Sequence, residues 1–161
     1  MEILASVTVG ATISGSAVGT NTTVTVNPGA ATQLVLTGTP SSATAGAVFT
    51  VTVTAKDANG NVDTNYTRSV TITSNDTQAA LPSSSTLTSG SGAFSVTLKT
   101  AASKTVTAGD GTLSSVTSGA ITVSPGAYDL TRCGITASSA SVVSGQVATV
   151  TVTAKDSYGN T

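Results

Sequence analysis

The side chains that could do chemistry are few and poorly placed for it. The chain has no His, a single Cys at Cys133 and a single Glu at Glu2, so its other acids are all Asp. Ser-His and Cys-His nucleophilic pairs and paired-Glu acid/base sites therefore cannot be assembled from it. Asp57 and Asp63 could share one site across a loop. Both fall at a strand end and turn, however, where a solvated, turn-forming Asp is the expectation. The inventory predicts no enzyme, with no catalytic and no cofactor-binding residues.

The stretch Asp57-Ala58-Asn59-Gly60-Asn61-Val62-Asp63 places side-chain oxygens at alternate positions, as a calcium ion requires. Gly60 stands fourth where an EF-hand loop needs Gly sixth, no bidentate Glu follows, and a second occurrence of the stretch carries Tyr158 in place of Asn59. A plain Asn-Gly loop explains the pattern better, so no metal ligand is assigned. Lys56 and Lys99 invite comparison with isopeptide cross-links, which need a buried Lys beside a buried acid. Strand parity puts both on the outward phase, as solvent-face residues that discourage aggregation. Tyr66, Tyr128 and Tyr158 are scattered over loops and junctions and form no stacking platform for a sugar. Asn21-Thr22-Thr23, Asn65-Tyr66-Thr67 and Asn75-Asp76-Thr77 match glycan acceptor sequons.

The elements that carry these residues follow from composition and periodicity. Charged residues make up 8% of the 161 and aromatics 3%, while Ser, Thr, Gly, Ala and Val dominate, which excludes a disordered polyelectrolyte and favours strands. Net charge is −1 with no Lys/Arg cluster, so a nucleic acid would find no electrostatic footprint. No apolar run approaches the roughly 18 residues that a spanning helix needs, and Met1 to Gly10 lacks the pattern of a signal peptide. Any targeting segment is expected outside this sequence. Alternation points Leu34 and Leu36, then Phe49, Val51, Val53 and Ala55, then Val70 and Ile72 to one side. Phe94, Val96 and Leu98, then Val106 and Ala108, then Ile121 and Val123 continue the series. Their neighbours are mostly Thr, Ser or Lys, the pattern of strands buried on one face and wet on the other. Turns are expected at Asn59-Gly60, Gly90-Ser91-Gly92 and Asp110-Gly111.

A self-match organises the chain. Thr50 to Asp57 (TVTVTAKD) recurs as Thr149 to Asp156, 99 residues on, and each occurrence is followed by Gly-Asn two residues later. Val24-Thr25-Val26-Asn27-Pro28-Gly29-Ala30 recurs as Ile121-Thr122-Val123-Ser124-Pro125-Gly126-Ala127 at an offset of 97, so the later copy gains two residues. A period near a hundred residues is the size of one immunoglobulin-type sandwich. The expected division is 1–27 as closing strands of one repeat, 28–124 as a complete repeat and 125–161 as opening strands of a third. Pro28-Gly29 and Pro125-Gly126 are then the junctions, and the sequence is a window on a longer array. The alignment sets Cys133 against Leu34, which predicts a buried, unpaired thiol.

Ala45-Gly46 before the second strand, Thr50 to Asn61, Leu81-Pro82, Phe94 to Thr100 and Val123-Ser124-Pro125-Gly126-Ala127 together resemble the bacterial Ig-like repeats of large surface proteins, related to invasin and intimin stalks. The sequence lacks a third-strand Trp, an inter-sheet Cys pair and a Tyr at the tyrosine-corner position, so an antibody-type domain is not implied. The resemblance implies an all-β, Greek-key immunoglobulin-like sandwich in tandem. It implies a structural module of an extracellular, cell-surface stalk, adhesin or filament that assembles end to end. Partners would be neighbouring repeats or other copies of itself, and a cell-surface glycan or protein. A ligand-binding adhesin domain or carbohydrate-binding module is the alternative. If 1–27 and 125–161 are partial sandwiches, Val150, Val152 and Ala154 should be buried against another copy, and Val24 and Val26 should pair outside the complete repeat.

Overall fold

The computed structural model describes residues 5–10, 12, 13, 16, 17, 19 and 22–161; Glu2 and the sequon at Asn21 lie outside the described residues. Alternating Val/Thr runs give strands wherever the sequence predicts them. In chain order these are β1 (Ala5–Val9), β2 (Thr12–Ile13), β3 (Ser16–Ala17), β4 (Thr22–Val26), β5 (Gln33–Thr37), β6 (Ser42–Thr44), β7 (Val48–Lys56) and β8 (Ser69–Ser74). They continue as β9 (Ser85–Thr86), β10 (Ser91–Thr97), β11 (Ala102–Lys104), β12 (Val106–Gly109), β13 (Val116–Thr117), β14 (Ile121–Ser124), β15 (Gly134–Ala137) and β16 (Val150–Thr153). No helix occurs among the described residues.

Strands β5 to β14 build an immunoglobulin-like β-sandwich. One layer is ordered β10-β7-β5; the facing layer comprises β13-β12-β8-β9 and β11-β14-β6. All pairings are antiparallel except β6 with β14, where Val123 lies opposite Ala43 in a parallel ladder. The two layers enclose the inward residues picked out by alternation. Every one is buried except Leu36 and Phe49, which are partly buried against the same cluster. Val51, Val53, Val70, Val96, Val106 and Ile121 are fully buried, each worth about 1.5–3 kcal/mol over an exposed position.

Two core residues have no alternation to announce them. Leu87 stands alone among Ser and Thr, yet it is 1% exposed. The space it fills is supplied by Gly92, where a Cβ would meet the Leu87 Cδ2 at 2.8 Å. Ala45 closes the core beside β14 through Ala45 N–H donating to the Ser124 carbonyl at 2.8 Å. The turn expected at Gly90-Ser91-Gly92 sits one residue earlier. Ser89 (φ 50°) and Gly90 (φ 75°) form it, with Thr88 and Ser91 exchanging both backbone hydrogen bonds, because a two-residue hairpin needs left-handed residues at its tip.

Outside the sandwich, β1 pairs with β4 so that Ala5 faces Val26, the register in which Ala102 of β11 faces Val123 of β14. Val24 and Val26 thus pair with Val7 and Ala5 of the same segment. At the other end, β15 pairs with β16 so that Ile135 faces Val152, matching Leu36 against Val53. The two extra residues lie just before β15. Asp129 N–H donates to the Lys155 carbonyl as Thr32 N–H does to Lys56, and a turn follows in which Arg132 and Cys133 N–H groups both donate to the Asp129 carbonyl. The expectation for Cys133 is corrected here. It is unpaired but only partly buried, its thiol 3.2 Å from the Asp129 carbonyl, because among the described residues no second layer packs on the two-stranded sheet of β15 and β16. Val150 and Val152 are likewise 58% and 67% exposed in the single chain.

Candidate functional site

Asp57 ends β7 and is buried, 3% exposed, which overturns the solvated-turn expectation. Its Oδ1 accepts the N–H groups of Asn59 at 2.9 Å and Asn61 at 2.8 Å. Its Oδ2 accepts Gly29 N–H at 2.9 Å and the Asn61 side-chain amide at 3.1 Å. The i+2 bond is the Asx-turn that Asp favours after a strand, and Gly60 (φ 86°) completes the reversal. The Gly29 N–H, with the bonds from Asn61 and Asn59 and against the opposing effect of burial, lowers the carboxyl pKa to about 2. Asp63 is also buried, and it accepts Ala31 N–H and Asn65 N–H. Both carboxylates thus grip the backbone of residues 29–31. All four carboxylate oxygens of Asp57 and Asp63 accept N–H donors.

The same clasp stands 99 residues on. Asp156, 2% exposed, accepts Tyr158 N–H and Asn160 N–H on Oδ1, and Gly126 N–H at 2.9 Å and the Asn160 amide at 2.7 Å on Oδ2. Burial alone would raise its pKa, but the Asn160 side chain and the Gly126, Asn160 and Tyr158 N–H groups outweigh it and hold the value at about 2. Pro125-Gly126 is therefore tied down as Pro28-Gly29 is.

This second clasp also reaches the end of the sandwich. Asn160 Oδ1 accepts Ala101 N–H at 2.8 Å, while its Nδ2 donates to the Lys99 carbonyl at 2.8 Å. The Tyr158 ring lies on Gly46, where a Cβ would come within 2.6 Å of the hydroxyl, and Lys99 Nζ sits 5.6 Å from the ring centroid. Lys99, expected as a plain solvent-face residue, is thus part of a contact. The receiving turn is held by Asp76, which accepts Lys99 N–H at 2.6 Å, Thr100 N–H at 2.9 Å and the Thr100 hydroxyl at 2.6 Å. Burial opposes its ionisation, and the Thr100 hydroxyl together with the Thr100, Lys99 and Gln78 N–H groups prevails, lowering its pKa to about 2. Asp76, Lys99–Ala101, Asn160, Asp156 and Gly126 form one continuous polar chain across the joint.

At the opposite end of the sandwich the Tyr66 hydroxyl donates to Asp110, and Arg68 donates to the Thr112 hydroxyl at 2.6 Å. Burial, followed by the Asp110 bond, pushes the Tyr66 pKa up to about 12. Of the three tyrosines Tyr66 and Tyr158 are partly buried and Tyr128 is 70% exposed, its backbone bridged to that of Asp156. Asn65 and Asn75 of the sequons are exposed, and the Asn75 side-chain oxygen accepts Thr105 N–H. Sequence reasoning missed Asp76 and the docking of Asn160. The available signal was that Asp, Gly and Asn stay the same in DANGN and DSYGN while the intervening residues change.

No family model matches the chain, and no curated protein matches it. Solved structures do share its fold. A glycosyl hydrolase family 2 member from Bacteroides cellulosilyticus is 17% identical at a TM-score of 0.54, over 71% of this chain and 17% of that one. The Escherichia coli adhesin FdeC is 21% identical at a TM-score of 0.54, over 91% of this chain and 49% of its own. Domains 4–9 of the surface layer protein SbsC are 26% identical at a TM-score of 0.48, over 88% of this chain and 22% of theirs. The chain therefore spans about half or less of each of these structures. The likeness to the two structures at a TM-score of 0.54 establishes the class of fold, an all-β immunoglobulin-like sandwich, and nothing about activity.

Proposed function

We propose that this chain is a structural segment of an extracellular surface protein of the bacterial Ig-like kind, a stalk, adhesin or filament assembled end to end. Residues 28–124 are its complete module, and 1–27 and 125–161 belong to the modules on either side. The observation that carries this reading is the joint. One Asp-x-x-Gly-Asn loop recurs at a 99-residue offset, each copy locks a Pro-Gly junction, and the later copy is hydrogen-bonded to the end of the sandwich before it. A joint held by directional bonds at fixed atoms sets an angle between modules, as a spacer needs. Neighbouring modules and other copies of the chain are the partners this implies. The carbohydrate-binding alternative finds little support in aromatics of which Tyr66 and Tyr158 are already engaged.

Amide hydrogen exchange tests the reading. Asn160→Ala should deprotect the Ala101 N–H while leaving Val53 N–H protected. Unchanged protection at Ala101 would remove the joint, and with it the argument for a structural role.

A further inference from the structure

The repeat separates the side chains of the joint into two sets. Asp57, Gly60 and Asn61 of one loop reappear as Asp156, Gly159 and Asn160 of the other, whereas Asn59 gives way to Tyr158. The retained residues close each loop on its own Pro-Gly strand. Only the backbone N–H of Tyr158 serves its loop; the ring lies on the sandwich before it. The surface that takes the ring is held in place from several sides. Gly46 N–H donates to the Leu98 carbonyl at 2.8 Å, which sets Gly46 beside Lys99. Lys99 is fixed in turn through its N–H by Asp76 and through its carbonyl by Asn160 Nδ2, and its Nζ sits 5.6 Å from the ring centroid. Gly46 supplies the space, since a Cβ there would lie 2.6 Å from the Tyr158 hydroxyl oxygen and 2.7 Å from Cε2. Gly126 makes a second close approach, where a Cβ would meet the Ala45 carbonyl oxygen at 3.0 Å.

We infer that this end of the sandwich is a receptor that selects which module may follow it. Gly46 and Lys99 admit an aromatic ring at the third position of the neighbour's Asp-x-x-Gly-Asn loop and select against a neighbour with Asn there, the residue that the loop at 57–61 carries. This rests on the reading of the chain as successive modules. An Asn side chain is too short to cover Gly46, and it offers the Lys99 ammonium a neutral amide in place of the negative face of a ring. A β-carbon at position 46 would close the space from the other side. Selection therefore needs a bare residue on one module and an aromatic on the next, and it works against the wrong neighbour as well as for the right one. Asp156 and Asn160, whose types both loops share, make the joint; Tyr158 and Lys99 determine its specificity.

Exchange of the Ala101 N–H, which Asn160 covers, reads how often the joint opens in the intact chain. Tyr158→Phe keeps the ring and should leave the rate within about two-fold. Tyr158→Asn gives this loop the residue of the other and should raise the rate roughly ten-fold. Tyr158→Leu, apolar but without a ring face, should behave like Tyr158→Asn. Lys99→Gln should raise the rate about two- to five-fold, the size of an exposed cation–π contact, and should add nothing in the Tyr158→Asn chain. Unchanged exchange at Val53 N–H confirms that the sandwich is intact in each variant. Tyr158→Asn or Tyr158→Leu exchanging at the rate of the unaltered chain would overturn the selection, and so would additive effects of Lys99→Gln and Tyr158→Asn. Asn160→Ala separates the two readings. If it deprotects Ala101 while the Tyr158 variants are silent, the joint stands and the selection alone falls; if it changes nothing, both fall.

Discussion

Val53→Ala is the substitution whose cost can be worked most directly from the structure. Val53 is 0% exposed, in the middle of β7, and lies between Leu36 on β5 and Gly92 on β10. Removing its two methyl groups forfeits about 1.6 kcal/mol of transfer free energy at ~0.8 kcal/mol per carbon. Unrelaxed space adds ~24 cal/mol per Å³, so a residual cavity of roughly 40 Å³ contributes about 1 kcal/mol more. The expected loss is about 2–3 kcal/mol. Thr52→Ala, one residue away on the outer face, should cost under about 1 kcal/mol, mostly strand preference. Val152→Ala removes the same side chain from the same motif, but at 67% exposure it should cost a few tenths of a kcal/mol at most. The chain has no Trp, so urea unfolding is best followed by circular dichroism, comparing midpoints at a common slope. Equal losses at Val53 and Thr52, or at Val53 and Val152, would refute the assignment of faces.

Three further outcomes follow from the same coordinates. Cys133 is partly exposed, so a thiol reagent should label the native chain without urea, and slow labelling matching global unfolding would contradict this. The carboxylates of Asp57, Asp76 and Asp156 lie at about 2 in the folded state against an ordinary 3.8, so their contribution is present above pH 4 and is lost as pH falls from 4 through 2. Asp76→Asn should lower the urea midpoint at pH 7 and flatten its fall between pH 4 and 2; an unchanged acid slope would show that Asp76 is not held as described. Tyr66 is shifted the other way, from 10 to about 12, so its contribution is present below pH 10 and lost as pH rises towards 12, which Tyr66→Phe should abolish.

The faces of the strands were legible because a period of two needs only local information, and Val51, Val53, Val96 and Ile121 are buried as their parity demands. Leu87 was not legible. Its burial depends on the absence of a side chain at Gly92, five residues on across a hairpin. The aspartates show the limit more sharply. Asp beside Asn and Gly indicates a turn, and turns they are, but the Gly29 N–H that buries Asp57 is 28 residues away and the Lys99 N–H that buries Asp76 is 23 away. Local composition cannot register a donor that arrives from another strand. The repeat could have substituted for that information, because Asp57, Gly60 and Asn61 reappear as Asp156, Gly159 and Asn160 while Asn59 becomes Tyr158. The retained residues are those whose atoms or backbone the clasp uses.

The distance across the joint tests the central claim most directly. Ser95 on the sandwich and Thr151 on the following segment are both exposed, and spin labels at Ser95→Cys and Thr151→Cys in a Cys133→Ser background report their separation by electron–electron dipolar spectroscopy. The account predicts one narrow distance distribution that broadens when Asn160→Ala and Tyr158→Ala remove the docked loop. A distribution already broad in the unaltered joint, or one that these substitutions leave unchanged, would contradict it.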